Sequence, residues 1–367
     1  MNVLQVVPEL NAGGVEATTI EIAQALGQAG HGAHIVSAGG RMEGALGDCG
    51  AILHRTDIGS KNILTVPHRV NFLREIIRRN DINIIHARSR APAWPAYFAA
   101  KAENLPFVTT YHGIYNEGSA LKRRYNAIMT KGAAIIANSD YTKAHIIKTH
   151  GTPAERITTI HRGVDMARFD PANITAANIT AQRKNWGVDS SPLILLPGRL
   201  TRWKGQLVAV QALAQLPKNH SLILLGDAQG RDGYVAEVKE LALTLGLTDR
   251  VILAGHSKTM PLALAASDIV ISTSTDPEAF GRIAAEAQAM GKPVVASAHG
   301  GALETVEDEK TGFLVTPSDA RALASGIMRA LDWPDYDKSA ARERISAQFS
   351  THALQAKTLA LYKSLLK

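Results

Sequence analysis

LILLPGRLTRWKG, residues 193–205, decides the fold. Its apolar run does not alternate, so it fits a strand covered on both faces of a parallel sheet. Pro197-Gly198 ends the run, and helical spacing over 204–216 follows. The same unit recurs downstream. SLILLG (221–226), RVILAG (250–255), DIVIST (268–273) and PVVASA (293–298) read as strands, with helical patterns at 232–245, 257–266 and 281–290. It also recurs upstream. VLQVV (3–7), AHIVSA (33–38), INIIHA (82–87), FVTTYH (107–112) and AAIIAN (133–138) are separated by helical patterns at 15–29, 66–80, 91–103 and 140–149. Strand alternating with helix means an α/β fold with doubly wound parallel sheets. The polar segment 171–192, bracketed by Pro171 and Pro192, interrupts the rhythm and reads as a linker with one helix. The expected domains are therefore 1–170 and 171–350, with closing helices at 319–331, 336–348 and 351–366.

Composition agrees. The chain has 367 residues, about two domains at roughly 100–200 residues each. Hydrophobic residues are 46% and charged residues 20%, which excludes long disorder. The single cysteine, Cys49, excludes a disulfide framework and a cysteine zinc cluster. No run reaches the roughly 18 apolar residues of a membrane helix, and the start MNVLQVVPEL lacks a basic secretion signal. A cytoplasmic protein is expected.

The net charge is +7, and the excess is uneven. Lys61, Arg69, Arg74, Arg78, Arg79, Arg88 and Arg90 face only Glu75 and Asp81 within 61–90, and Lys122-Arg123-Arg124 form a second cluster. A solvated helix face accounts for such runs, and so does an anionic acceptor or membrane surface. Nucleic acid is not expected, because the basic stretches lack interleaved aromatics and no known binding module is present.

Four places carry groups suited to chemistry. Gly13-Gly14-Val15-Glu16 follows the first strand, where a helix N-terminus favours a phosphate; Glu16 also suits a plain helix start. The segment lacks the G-x-G-x-x-G spacing of a nicotinamide dinucleotide site. Arg199 and Lys204 could neutralise a diphosphate, the first as a fork and the second as a point charge. Glu278-Ala279-Phe280-Gly281-Arg282 runs into a helix carrying Glu286 among alanines. A half-buried carboxylate there needs hydrogen-bond donors, and paired sugar hydroxyls would serve. His112, in Thr110-Tyr111-His112-Gly113, ends a central strand beside a glycine that leaves room for a ligand.

Taken together these segments resemble glycosyltransferase family 4, of GT-B fold, including bacterial lipopolysaccharide and glycolipid glycosyltransferases. Ile160-His161-Arg162-Gly163-Val164-Asp165 is similar to the family's N-G-V-D segment, with Arg162 where asparagine is usual. Gly291-Lys292-Pro293-Val294-Val295-Ala296 and Gly300-Gly301 with Glu304 continue the likeness. Arg282 stands where an aliphatic residue is usual. The resemblance implies two Rossmann-like domains facing a central cleft, with helix 351–367 packing back on the first. It implies retaining transfer of a hexose-type sugar from a UDP- or GDP-sugar. His112, Arg199, Lys204 and Glu278 would be catalytic. Gly13, Gly14, Gly255, His256, Glu278, Ala279, Phe280, Gly281 and Glu286 would line the donor with Arg199 and Lys204, Glu286 holding the ribose. No metal is expected, because cationic side chains replace it at the diphosphate. The acceptor would be a glycan or glycolipid such as lipopolysaccharide core, met by Glu16, Arg74, Arg78, Arg79, Arg88 and Lys122–Arg124, with peripheral contact at the inner face of an anionic membrane. The competing readings are a nucleotide-sugar 2-epimerase on the same fold and a non-catalytic nucleotide-sugar or glycolipid binder.

Overall fold

The computed structural model describes residues 1–11, 13–188 and 190–367. The chain forms two compact units, Met1–Gly163 with Thr351–Lys367, and Val164–Ser350.

The first unit holds strands β1 (Asn2–Val6), β2 (Gly32–Ser37), β3 (Ile52–Arg55), β4 (Ile84–Ala87), β5 (Phe107–Tyr111), β6 (Ala134–Ala137) and β7 (Ile157–Thr159). They form one parallel sheet in the order β3-β2-β1-β4-β5-β6-β7. The second unit holds β8 (Leu193–Pro197), β9 (Ser221–Leu225), β10 (Val251–Gly255), β11 (Ile269–Ser272), β12 (Val294–Ser297) and β13 (Gly312–Val315). These run parallel as β10-β9-β8-β11-β12-β13. Both sheets thus reverse direction of growth once, between β1 and β4 and between β8 and β11. Ligands of open α/β sheets bind outside the carboxyl ends of the strands at such a point.

Every strand read from the sequence is present. β3, β7 and β13 escaped that reading; each is a short strand at a sheet edge with residues that are not buried. Central strands are buried throughout: β4, β5, β6, β8 and β12 have no exposed position. Their continuous apolar character follows from cover on both faces.

Two expectations about organisation are corrected. The division falls after Gly163, not after residue 170. Val164 and Phe169 are 2% exposed and share a core with Leu193, Leu195 and Phe280. Arg342 Nη1 donates to the Phe169 carbonyl at 2.6 Å, fixing that segment to the second unit. Nor is 171–192 a linker. Its helix, Ala176–Asn185, starts with a capping box between Thr175 and Asn178. Ile174, Ile179 and Trp186 pack on the same core. Three apolar residues at these positions outweigh a polar composition.

The last helix, Thr351–Ser364, returns to the first unit. Leu354 and the fully buried Tyr362 lie in its core. The Tyr362 hydroxyl bonds His86 Nδ1, and His86 Nε2 faces Thr110 Oγ1 at 2.7 Å. Gln355 Nε2 donates to the Glu21 carbonyl at 2.7 Å. Where the chain passes between units, Gly163 lies against Thr351 so closely that a Cβ would sit 2.4 Å from its Cα.

Candidate active site

In the second unit the loop after β8 is tied to the carboxyl end of β11. A short turn, Arg202–Lys204, leads through Gly205 at φ 73° into the helix Gln206–Leu213. Thr273 Oγ1 donates to the Lys204 carbonyl at 3.0 Å and to that of Gly205 at 3.2 Å. The Thr275 amide donates to the Trp203 carbonyl at 2.8 Å. Gly205 permits this closeness, because a Cβ there would lie 1.9 Å from the Thr273 oxygen. Lys204 Nζ sits 4.5 Å from the Trp203 ring centre and donates to Glu278 Oε1 at 2.6 Å. Ser274 Oγ bonds the same carboxylate oxygen. His299 Nε2 lies 2.8 Å from the Ser274 carbonyl. Ser274, Glu278, Gly281, Ser297 and His299 line a small recess.

Arg199 stands differently. It is exposed and has no ion pair among the described residues. Its backbone is held instead: Gln206 Nε2 donates to the Arg199 carbonyl at 3.0 Å, and Tyr234 donates to Gln206 Oε1 at 3.0 Å. Neighbouring Arg202 forks onto Glu237 at 2.7 and 2.6 Å and so points its charge elsewhere.

Gly281, at φ 75°, caps the helix Arg282–Ala289. The first amides of a helix have no intrahelical partner and suit an anion. Glu286 is more buried than half, at 4% exposed. Arg282 Nε donates to its Oε1 at 2.6 Å. Burial pushes the Glu286 carboxyl up from the usual carboxylate range, while Arg282 and Arg168 pull it back. Gly255 ends the edge strand β10, His256 follows it, and both are exposed.

In the first unit, Gly13 (φ 140°) precedes the helix Gly14–Gln28. Gly14 touches Arg162, since a Cβ would lie 2.2 Å from Nη1. Arg162 Nη2 donates to the His112 carbonyl at 2.9 Å, as does Asn138 Nδ2 at 3.1 Å. Both ring nitrogens of His112 are buried without a hydrogen-bond partner among the described residues. Burial, reinforced by Arg162 and Arg88, holds its pKa well below the ordinary value, so the ring is neutral. Glu16 lies beside Gly13 in the first helical turn.

Two family profiles match the chain: Glycosyltransferase Family 4 over residues 12–168 and Glycosyl transferases group 1 over residues 178–347. A D-inositol 3-phosphate glycosyltransferase of Xylanimonas cellulosilytica is 31% identical over 78% of this chain and 72% of its own. The chain belongs to glycosyltransferase family 4. It is a GT-B glycosyltransferase that takes its sugar from a nucleotide sugar. A solved glycosyltransferase from Rickettsia africae superposes with a TM-score of 0.92 at 38% identity, covering 100% of this chain and 98% of that one. Anabaena HepE, solved in complex with UDP and glucose, gives 0.85 at 28% identity over 99% and 100%.

Set against this glycosyltransferase's sequence, the structure brings Lys204, Glu278, Ala279, Phe280 and Gly281 into one connected stretch around the switch point of the second sheet. Of the basic residues expected on an acceptor surface, Arg88 is buried, while Arg78 and Arg79 are exposed but ion-paired. Arg88 is 2% exposed and bonds Gln5 Oε1. Arg74 and Arg78 both pair with Glu103, and Arg79 pairs with Glu75. Arg69 is buried on the carbonyls of Ile58, Ser60 and Asn62. Lys122, Arg123 and Arg124 remain exposed. The sequence reading missed Ser274, Thr273 and Gln206, which act through loop contacts that leave no periodic signal. It also missed that Arg282 pairs with Glu286, although their i,i+4 spacing announces it. No helix of the described residues is long and apolar enough to cross a membrane.

Proposed function

We propose that this enzyme transfers a hexose from UDP-sugar, with retention and without a metal ion, to a glycan or glycolipid acceptor. The observation that carries this reading is the paired placement of Lys204 on Glu278 and of Arg282 on Glu286 around the switch point of the second sheet, beside the exposed Arg199. HepE, solved with UDP and glucose, supports uridine over guanosine. Arg199 and Lys204 hold the diphosphate and stabilise the charge that grows on it as the bond from the anomeric carbon breaks. An acceptor hydroxyl oxygen takes that carbon, and its proton leaves with the diphosphate. Glu286 accepts from the ribose hydroxyls. Glu278, fixed by Ser274 and Lys204, orients the donor sugar. Gly281 and its neighbours offer backbone amides to phosphate or sugar oxygens, and His256 borders the base. In the first unit His112, neutral and unpartnered, is assigned a hydrogen bond to the donor sugar, and Gly14 an oxygen of the donor. Lipopolysaccharide core fits the acceptor side as a carbohydrate bearing anionic groups.

The test is transfer of label from UDP-[14C]glucose to a panel of glycolipid and oligosaccharide acceptors in excess chelator, with the new linkage read by NMR. An α-linked product formed in chelator supports the proposal. A β-linkage, or activity that returns only with magnesium or manganese, contradicts it. Lys204→Ala is expected to lower kcat by about 10²–10³-fold, the cost of losing one donor to a developing anion.

A further inference from the structure

We propose that an apolar cavity in the first unit binds a hydrocarbon chain of an anionic membrane lipid. The cavity holds about 320 Å³ and is lined by Ile63, Val66, Ala91, Trp94, Phe98 and Tyr125, with Lys61 at its rim. Three rings run along it: Tyr125 to Trp94 at 6.2 Å and Trp94 to Phe98 at 6.3 Å between centres.

The surface beside it is unusual. Ile63 is 81% exposed, Leu64 87% and Leu121 81%. Ile63 itself lines the cavity. Leu121 lies one turn before Tyr125 on the helix Ala120–Asn126, hence on the same face. Exposed apolar side chains on the segments that border an apolar cavity mark an interaction site. The charge identifies the occupant. Arg74, Arg78 and Arg79 are ion-paired within the unit, but Lys61, Lys122, Arg123 and Arg124 are exposed and form no ion pair among the described residues. Apolar side chains ringed by free cations match an anionic bilayer, whose surface attracts basic groups while its interior accepts the leucines. A second copy of this chain fits poorly, because it would bring a second set of the same free cations to the contact, a repulsion that an anionic bilayer replaces with attraction. The proposal concerns where the first unit docks. It is independent of the donor assignment, and the two fail separately.

The test uses the tryptophans. Trp94 is in the first unit, while Trp186, Trp203 and Trp333 are in the second. Phosphatidylglycerol vesicles with brominated acyl chains are expected to quench part of the emission, and Trp94→Phe should remove that part. Ala91→Phe, which fills the cavity, should still float on anionic vesicles but lose the quenching. Ile63→Ser with Leu64→Ser changes only exposed side chains and should lower flotation at least fivefold. No quenching in the parent protein, quenching that survives Ala91→Phe, or equal flotation on neutral phosphatidylcholine overturns the proposal. Sedimentation supplies a further check: a dimer that Ile63→Ser with Leu64→Ser splits into monomers would assign the patch to a second copy and equally overturn it.

Discussion

Glu286 sets fold stability against donor binding. Its carboxyl is buried, and burial raises its pKa against the opposing pull of Arg282. The folded protein therefore holds a proton at pH values where the unfolded chain has released it. Stability falls as pH rises from the unfolded pKa through the folded one. Glu286→Gln removes the buried charge and keeps the shape. It is expected to raise the melting temperature of the free protein at pH 7 by a few degrees, a shift of about 1 kcal/mol in a unit this size, while weakening the donor. Arg282→Ala withdraws the compensating cation, so the acid side of the donor KM profile should move to higher pH. Melts and KM measured across pH check both; an unchanged melt in Glu286→Gln and an unmoved KM profile in Arg282→Ala would count against this reading. The places of Arg199, Lys204 and Glu278 after strands, and of Glu286 within a helix of alanines, were legible in the sequence, while the roles given to them are proposals. Their partners were less legible: Ser274 and Thr273 meet Glu278 and Lys204 through loop geometry that no periodicity encodes.

At the level of elements, the clamp depends on one left-handed backbone position. Gly205 bends the turn Arg202–Lys204 into its helix and lets the loop lie against the Thr273 carbonyl. Gly205→Ala meets both an unfavourable φ and a backbone oxygen, which costs about 1–3 kcal/mol or forces the loop away. Nucleotide affinity is expected to drop at least tenfold with the far-ultraviolet circular dichroism of the parent, and titration of UDP measures it. Unchanged affinity would show that the tie between β8 and β11 does not shape the site. Strand and helix order was readable from apolar runs, because buried parallel strands do not alternate. The short edge strands β3, β7 and β13 were not, and neither was the true role of 171–192, whose three apolar anchors are diluted among polar residues.

For the whole molecule, the two units divide the groups between them. Arg199, Lys204, Glu278 and Glu286 belong to the second, and His112, Arg162 and Gly14 to the first. The tandem of two doubly wound sheets was legible from the repeat of the strand–helix pattern. The boundary was not, because residues 164–170 lack a strand or helix signal and join the second unit through Val164 and Phe169. The basic excess misled in part, since sequence counts charges without showing that Glu103 answers two of them. The second unit alone is expected to carry the nucleoside diphosphate. Calorimetric titration of UDP into the parent protein, Arg199→Ala with Lys204→Ala, Glu286→Ala and His112→Ala tests it most directly. The predicted result is saturable binding to the parent and to His112→Ala, and binding weaker by about 10- to 100-fold in the other two, as expected for lost charge-assisted hydrogen bonds. Parent-like binding by Glu286→Ala, or a loss in His112→Ala as large as theirs, would contradict it.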